Sequence, residues 1–186
     1  MNPSMPLKRA ASILRAGGVV AYPTEGVYGL GCLPSIGAAV ERVLAIKQRE
    51  PKLGLILIAA EPAQLEGWIA DDVDAGRLES TATKPVTWIV RAADDVPWHI
   101  RGEHSGIAVR VTAHPVAAAL CRAAGSALVS TSANLSGQSP TRNPWVLRRS
   151  FGSLVDFIVP GRCGEACGAS EIRDFESGKV LRPAAT

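Results

Sequence analysis

The chain has 186 residues, of which 47% are hydrophobic and 20% are charged, and its formal net charge at pH 7 is +3. This composition is typical of a globular protein and excludes a disordered one. No apolar run approaches the roughly 18 residues of a membrane-spanning helix, and the first residues carry no export signal. We therefore predict a cytoplasmic protein with no membrane partner, folded as one domain over residues 1–186.

In the first part of the chain, helical and strand-like spacings of apolar residues alternate. The predicted elements are a helix around residues 7–14, a strand over Val19–Tyr22, a helix from Ser35 to about Lys47, a buried strand over Leu55–Ile58 and an acidic helix from Pro62 to about Thr81. Ser35 is expected to cap the second helix, and Gly17 and Gly18 to end the first.

The second part continues the alternation but ends in adjacent strands. The predicted elements are strands over Val86–Val90 and Ile107–Val111, a helix from Pro115 ended by Gly125, a strand over Ala127–Ser130, a helix starting at Asn143 and Pro144, a strand over Phe157–Val159 and a hairpin over Glu171–Arg182. This order predicts an α/β domain built on a twisted, mixed sheet.

Charge is unevenly distributed along the chain. Residues 61–80 carry six acids against one base, whereas residues 1–60 carry seven bases against three acids. The basic part is either a solvated face or a surface for polyphosphate or RNA, and charge alone does not distinguish these readings.

The common catalytic signatures are missing from the sequence. There is no phosphate-binding P-loop motif, no serine nucleophile elbow and no zinc-protease histidine pair. His99 and His104 lack the spacing of metal ligands and are interpreted as surface histidines, and the four cysteines form no C-x-x-C pair. We therefore predict no protein-bound metal and no covalent nucleophile.

Polar clusters follow the predicted strands instead. They are Thr24 with Glu25, Lys47 to Arg49 at a helix end, Arg110 within a strand, residues 130–137, and residues 170–174. Each cluster taken alone is also explained as an ordinary loop or helix end without a binding role. Because ligands of open α/β sheets bind at strand ends, several such clusters together favour a binding site.

Arg110 is the most informative of these residues. It lies among Ile, Ala and Val in the strand Ile107–Val111, so its side chain is expected to be buried. A buried cation without an anion is costly, and Arg110 must therefore meet either a structural carboxylate or the carboxylate of a ligand.

Taken together, the motifs resemble the YrdC/TsaC family, the threonylcarbamoyl-AMP synthases. The resemblance runs from about Ala16 to Arg182 and includes GGVVAYPTEGVYGLGC, KQR, IAVRVTAHP, LVSTSANLSG and SEIRD. The family pattern is a K-x-R triplet followed far downstream by S-x-N, here Lys47–Arg49 and Ser132–Asn134. The resemblance implies a YrdC-like twisted α/β sheet with a basic concave cavity.

It also implies a reaction and a set of site residues. The reaction joins L-threonine, bicarbonate and ATP, with Mg²⁺ arriving on the ATP, and the product serves the proteins that transfer threonylcarbamoyl groups to tRNA. ATP is expected at Lys47, Arg49, Ser132, Asn134, Ser139 and Arg182, with Lys47 and Arg49 acting in catalysis. L-threonine is expected at Thr24, Arg110, Ser130 and Ser170.

The chain departs from the family pattern at two positions. Ile58 stands where many relatives have a histidine at the threonine site, and Lys84 replaces a glycine of the P-G-P-x-T turn. Two alternatives stay open: a double-stranded RNA-binding factor of ribosomal RNA maturation, and a carbamoyl-adenylate enzyme without threonine selectivity. Lys47 and Arg49 are expected at the exposed rim of the sheet, so that their removal scarcely changes stability.

Overall fold

The computed structural model describes residues 3–78, 80–135 and 138–185, and within them the chain forms five α-helices and a nine-stranded sheet. The helices are α1 Met5–Arg15, α2 Gly37–Lys47, α3 Trp98–Arg101, α4 Pro115–Ala124 and α5 Pro144–Phe151. The strands are β1 Val20–Pro23, β2 Tyr28–Gly31, β3 Ile56–Ala59, β4 Val86–Arg91, β5 Gly106–Val111, β6 Leu128–Ser132, β7 Phe157–Ile158, β8 Glu171–Asp174 and β9 Val180–Arg182.

The sheet is mixed, with strand order β7-β1-β2-β6-β3-β5-β4-β8-β9. Three neighbouring pairs are parallel, β1 with β7, β3 with β5 and β4 with β8, and the others are antiparallel. Alternate residues of the strands point to opposite faces, so each face supports its own core. The predicted twisted, mixed α/β sheet flanked by helices is confirmed.

Helices cover both faces of this sheet. On one face α1 and α4 pack through small and branched side chains such as Leu14, Ala117 and Leu120. On the other face α2 packs through Val40 and Val43, in the same core as the buried residues of α5. The apolar stripes predicted for α1, α2 and α4 lie in these two cores.

The helix predicted from Pro62 to about Thr81 is wrong. Two short 3₁₀ turns, Pro62–Leu65 and Ala75–Arg77, occupy this segment instead. Gly67 has φ +76°, a left-handed conformation that interrupts any helix, and the Asp74 side chain accepts a hydrogen bond from the Gly76 amide. The apolar residues of this segment nevertheless lie in the core, at spacings that are not helical.

Two smaller predictions also need correction. Ser35 does not cap α2, because the extended Ile36 occupies the N-cap position and its side chain packs against the core. Strand β2 was not predicted; it pairs with β1 and β6, and a side chain at Gly31 would lie 2.2 Å from the Val129 carbonyl oxygen. Only glycine allows that close approach.

The start of α5 confirms the prediction at Asn143. The Asn143 side-chain oxygen accepts a hydrogen bond of 2.8 Å from the Trp145 amide, and Pro144 follows at the first helical position. Among the described residues, no helix is both long enough and apolar enough to cross a bilayer.

Candidate active site

A cavity of about 810 Å³ lies where several connections and strand ends meet. Its wall is formed by the β1–β2 turn, the connection between α2 and β3, the loop before β5, strands β5 and β6, and the β8–β9 hairpin. Seven of the ten predicted site residues line it: Thr24, Arg49, Arg110, Ser130, Ser132, Ser170 and Arg182. Residues spread over most of the chain are therefore brought to one place by the sheet order.

Four arginines line this cavity and make it basic: Arg49, Arg101, Arg110 and Arg182. Burial lowers the pKa of Arg49, and the neighbouring charge of Arg182 lowers it further. Burial and the charge of Arg110 lower the pKa of Arg182 in the same way. Cations held this close repel one another, so an anionic ligand between them relieves the repulsion.

Arg49 and Arg182 are oriented by backbone carbonyl groups. The Arg49 Nη2 donates to the Gly54 carbonyl oxygen at 2.9 Å and to the Leu53 carbonyl oxygen at 3.2 Å. The Arg182 Nη2 donates to the Ser170 carbonyl oxygen at 3.0 Å. These bonds hold two guanidinium groups beside the cavity without neutralising them, since a carbonyl group carries no net charge.

Hydroxyl groups form the neighbouring part of the wall. Thr24 and Ser130 lie on either side of Gly29, where an added Cβ would be 3.2 Å from the Thr24 methyl carbon and 3.4 Å from the Ser130 hydroxyl oxygen. The Ser170 hydroxyl is paired with the Thr87 hydroxyl at 2.7 Å. All four of these hydroxyl residues are buried, and the Thr24 hydroxyl donates to the Val27 carbonyl oxygen at 2.7 Å.

Arg110 has a structural carboxylate for its partner. Its Nη2 lies 3.5 Å from the Oε2 of Glu25, whose side chain is 1% exposed. Burial alone would raise the pKa of Glu25, but the charge of Arg110 and hydrogen bonds including that from Thr112 outweigh it and lower this pKa. Glu25 was recognised in the sequence only as a neighbour of Thr24, and its pairing with Arg110 has no local sequence signal.

Lys47 is buried, not exposed at the rim as expected. Its ammonium group donates to the Ser132 carbonyl oxygen at 2.7 Å, to the Asn134 carbonyl oxygen at 2.5 Å and to the Asn134 Oδ1 at 2.8 Å. The Ser132 hydroxyl donates to the same Oδ1 at 2.5 Å. The K-x-R and S-x-N motifs are therefore in direct contact, with Lys47 and Asn134 behind the cavity wall.

The two cations of the triplet are separated by the conformation of Gln48. Gln48 has φ 48° and ψ 43°, a left-handed conformation that ends α2. Lys47 then contacts the end of β6 while Arg49 reaches the cavity. Burial, together with the charge of Arg49, lowers the pKa of Lys47 to about 8.

Ser139 is exposed and lies outside the cavity wall. The last two residues of the predicted cluster 130–137, residues 136 and 137, fall outside the described part of the chain. The structure therefore brings together nine of the ten predicted residues in one connected site, and an ATP contact at Ser139 stays a prediction.

Sequence reasoning missed the apolar wall and the mouth of the cavity. The wall includes Leu53, Ile56, Ile89, Ile100, Ile172 and Leu181. His104 is exposed as predicted, yet it lies at this cavity, whereas His99 is half-buried. Nothing in the sequence marks the loop before β5 as part of the site. Within residues 3–78, 80–135 and 138–185, no cluster of three His, Cys, Asp or Glu residues could hold a metal ion.

The fold and the site define an α/β domain whose cavity places guanidinium groups beside a hydroxyl-lined pocket. A family model described as "Telomere recombination", covering the Sua5, YciO and YrdC proteins, matches residues 12–184. The chain belongs to this family.

Relatives with nearly the same length carry one name. A threonylcarbamoyl-AMP synthase from Nitrosococcus oceani is 51% identical over 182 residues, covering 97% of this chain and 98% of the relative. A threonylcarbamoyl-AMP synthase from Stenotrophomonas maltophilia is also 51% identical, covering 95% of this chain and 97% of the relative.

Solved structures agree with the fold. P. abyssi Sua5 complexed with L-threonine superposes with a TM-score of 0.84 at 28% identity, covering 96% of this chain and 54% of that longer one. E. coli YciO superposes with a TM-score of 0.81 at 28% identity, covering 99% of this chain and 92% of the other.

Proposed function

We propose that this chain is a cytoplasmic threonylcarbamoyl-AMP synthase, a nucleotidyltransferase that uses L-threonine, bicarbonate and ATP. The observation that carries the proposal is the cavity in which Arg49 and Arg182 adjoin a hydroxyl pocket containing Arg110. A polyphosphate requires a cationic surface such as that of Arg49 and Arg182. An amino acid requires a polar pocket with a cation for its carboxylate, such as that around Arg110. Relatives of equal length and about half-identical sequence carry this name, which favours the synthase over the RNA-binding alternative.

The proposed reaction has two balanced steps. The threonine amine condenses with bicarbonate to give a carbamate and water. A carbamate oxygen then attacks the α-phosphorus of ATP, forming the mixed anhydride as the bond to the leaving pyrophosphate breaks. No protein nucleophile is needed, because orientation and charge stabilisation lower the barrier for phosphoryl-type transfer.

Each part of the cavity has a role in this reaction. The hydroxyl groups near Thr24 and Ser130 are suited to hold the polar side of threonine, and the Arg110 guanidinium to meet its carboxylate. Arg49 and Arg182 are suited to neutralise charge that accumulates on the phosphates. The Ser132–Asn134 segment, held by Lys47, borders the nucleotide.

Mg²⁺ would accompany ATP rather than occupy a site of its own. The cavity wall is rich in arginines and hydroxyl groups, and Glu103 is the carboxylate within it, which suits an ion held mainly by phosphates and water. The ion supplies further charge neutralisation on the phosphates. The product, an activated anhydride, would pass to the proteins that transfer threonylcarbamoyl groups to tRNA.

Pyrophosphate release from ATP is expected to require both bicarbonate and L-threonine. Serine lacks one methyl group, which is worth roughly 1–3 kcal/mol in a pocket, so its kcat/KM should be about 10–200-fold lower. The measurement is pyrophosphate release, with mass spectrometry of the product. Equal release without threonine would disprove the proposed function and leave a carbamoyl-adenylate enzyme without threonine selectivity.

Replacing Arg182 with alanine is expected to raise KM for ATP by about tenfold, while KM for threonine changes less. Charged hydrogen bonds contribute about 1.5–3 kcal/mol, and exposure of Arg182 to solvent places it at the low end. Lys179→Ala is the matched control, because Lys179 is an exposed cation of the same hairpin outside the cavity wall. Equal increases in both KM values would make Arg182 a structural residue of the tail.

A further inference from the structure

Glu25 is a buried acid placed directly behind a cation of the site. It lies in the turn between β1 and β2, is 1% exposed, and is absent from the described cavity wall. Arg110 stands between it and the cavity, in β5. A charged side chain at this depth is expensive to bury, so its retention requires a specific partner.

The carboxylate of Glu25 is held on one side only. Its Oε1 accepts a hydrogen bond of 2.6 Å from the Thr112 hydroxyl and one of 3.0 Å from the Ala113 amide. The Glu25 carbonyl oxygen accepts a further bond of 3.0 Å from the Ala166 amide. The carboxylate is therefore fixed in orientation, with Oε2 directed at Arg110.

Two buried atoms of this ion pair lack hydrogen-bond partners among the described residues: the Glu25 Oε2, an acceptor, and the Arg110 Nε, a donor. The Oε2 to Nη2 distance of 3.5 Å is slightly too long for a strong bond. The ion pair therefore leaves hydrogen-bonding capacity on both partners, and Arg110 also lines the cavity.

We propose that Glu25 is the positioning residue of Arg110: it orients the guanidinium so that the edge facing the cavity meets the carboxylate of the amino-acid substrate. This inference rests on the proposed function and adds a residue to it. Glu25 does not touch the substrate. It acts through Arg110, as ligand-orienting carboxylates do in other sites where a second layer fixes the first.

The test is Glu25→Gln, measured by KM for threonine and KM for ATP. Glutamine keeps the size and can accept from Thr112, but it carries no charge and brings a donor towards the guanidinium. KM for threonine is expected to rise by at least about tenfold, the scale of one charge-assisted hydrogen bond, with KM for ATP within about twofold. Glu25→Gln should have no further effect on KM for threonine in an Arg110→Gln background, because the two act as one unit.

The direction of the change in KM for threonine decides whether Glu25 positions Arg110 or competes with the substrate for it. If Glu25 merely competes with the substrate carboxylate for Arg110, Glu25→Gln will lower KM for threonine and overturn the proposal. Equal changes in both KM values would overturn it as well, since they indicate a structural role. If wild-type protein does not depend on threonine, the proposed function itself fails; if wild type does and Glu25→Gln is normal, only this inference fails.

Thr112→Val keeps the proposal testable if Glu25→Gln does not fold. This variant retains both charges and removes the hydroxyl that donates to the Glu25 Oε1 and accepts from the His114 amide at 3.3 Å. A smaller rise in KM for threonine alone, of about threefold to tenfold, is expected from the loss of the hydrogen bond to Glu25. An unchanged KM for threonine in folded Thr112→Val protein would contradict the positioning role.

Discussion

Arg49→Ala is expected to lower kcat/KM for product formation by about 10²–10³-fold, or roughly 2.7–4 kcal/mol of transition-state stabilisation. The Arg49 guanidinium lines the cavity, and the carbonyl oxygens of Leu53 and Gly54 fix its orientation. Removing it takes away a preorganised cation where charge accumulates on the phosphates. The side chain is only half-buried, so the melting temperature should fall by no more than a few degrees.

One further variant separates geometry from charge at Arg49, and another serves as a control. Arg49→Lys should also be impaired, because an ammonium group cannot reproduce the planar fork of a guanidinium on phosphate. Lys52→Ala is the matched control: Lys52 is an exposed cation of the same connection, paired with Glu50 at 2.6 Å outside the cavity. Near-normal turnover in well-folded Arg49→Ala protein would remove Arg49 from the site.

Lys47→Met is expected to lose both stability and activity. The Lys47 ammonium satisfies two carbonyl oxygens and one amide oxygen of the Ser132–Asn134 segment. Methionine keeps the aliphatic stem but removes this donor from three partly buried acceptors. The Asn134 Oδ1 then keeps only the Ser132 hydroxyl, and the Ser132 carbonyl oxygen keeps only the Asn134 amide. The loss costs about 1–3 kcal/mol. For a chain of this length that corresponds to a fall in melting temperature of roughly 2–12 °C. Product formation should fall with it, since Ser132 lines the cavity where Lys47 holds it.

The measurement is a melting curve together with kcat/KM for Lys47→Met, with Lys52→Ala as the exposed lysine control. A normal melting temperature with lost activity would mean that Lys47 serves the phosphates alone. A lower melting temperature with normal activity would mean that it serves only the fold. The sequence predicts an exposed Lys47 whose loss scarcely changes stability. Because the structure buries Lys47, its loss is instead expected to lower the melting temperature.

Elements with local signals were predicted correctly from the sequence. Helix α4 was expected from Pro115 to Gly125 and runs over Pro115–Ala124, because proline favours the first helical turn and Gly125 adopts the left-handed conformation that ends it. The turn of the β8–β9 hairpin is equally local, with Asp174 accepting from the Ser177 amide at 2.8 Å. Such signals lie within a few residues of the element that they begin or end.

Elements that depend on distant partners were not predictable. Residues 62–81 have the polar-apolar mixture of a helix, but Gly67 and a side-chain turn at Asp74 divide the segment. Strand β2 spans only four residues, two of them glycine, and it exists because β1 and β6 pair with it on both sides. Tertiary pairing overrides weak local preference at β2, whereas local turn geometry at Gly67 and Asp74 prevents the helix over residues 62–81.

The sequence by itself determined the family, through an ordered series of short motifs, and the need of Arg110 for an anion. Only the tertiary structure decided that this anion is Glu25 and that Lys47 is buried against the Ser132–Asn134 segment. Lys47 and Ser132 are 85 residues apart, and their contact arises because β6 lies between β2 and β3 in the sheet. Periodicity records which face of an element is buried, but it contains no information about which other element covers that face.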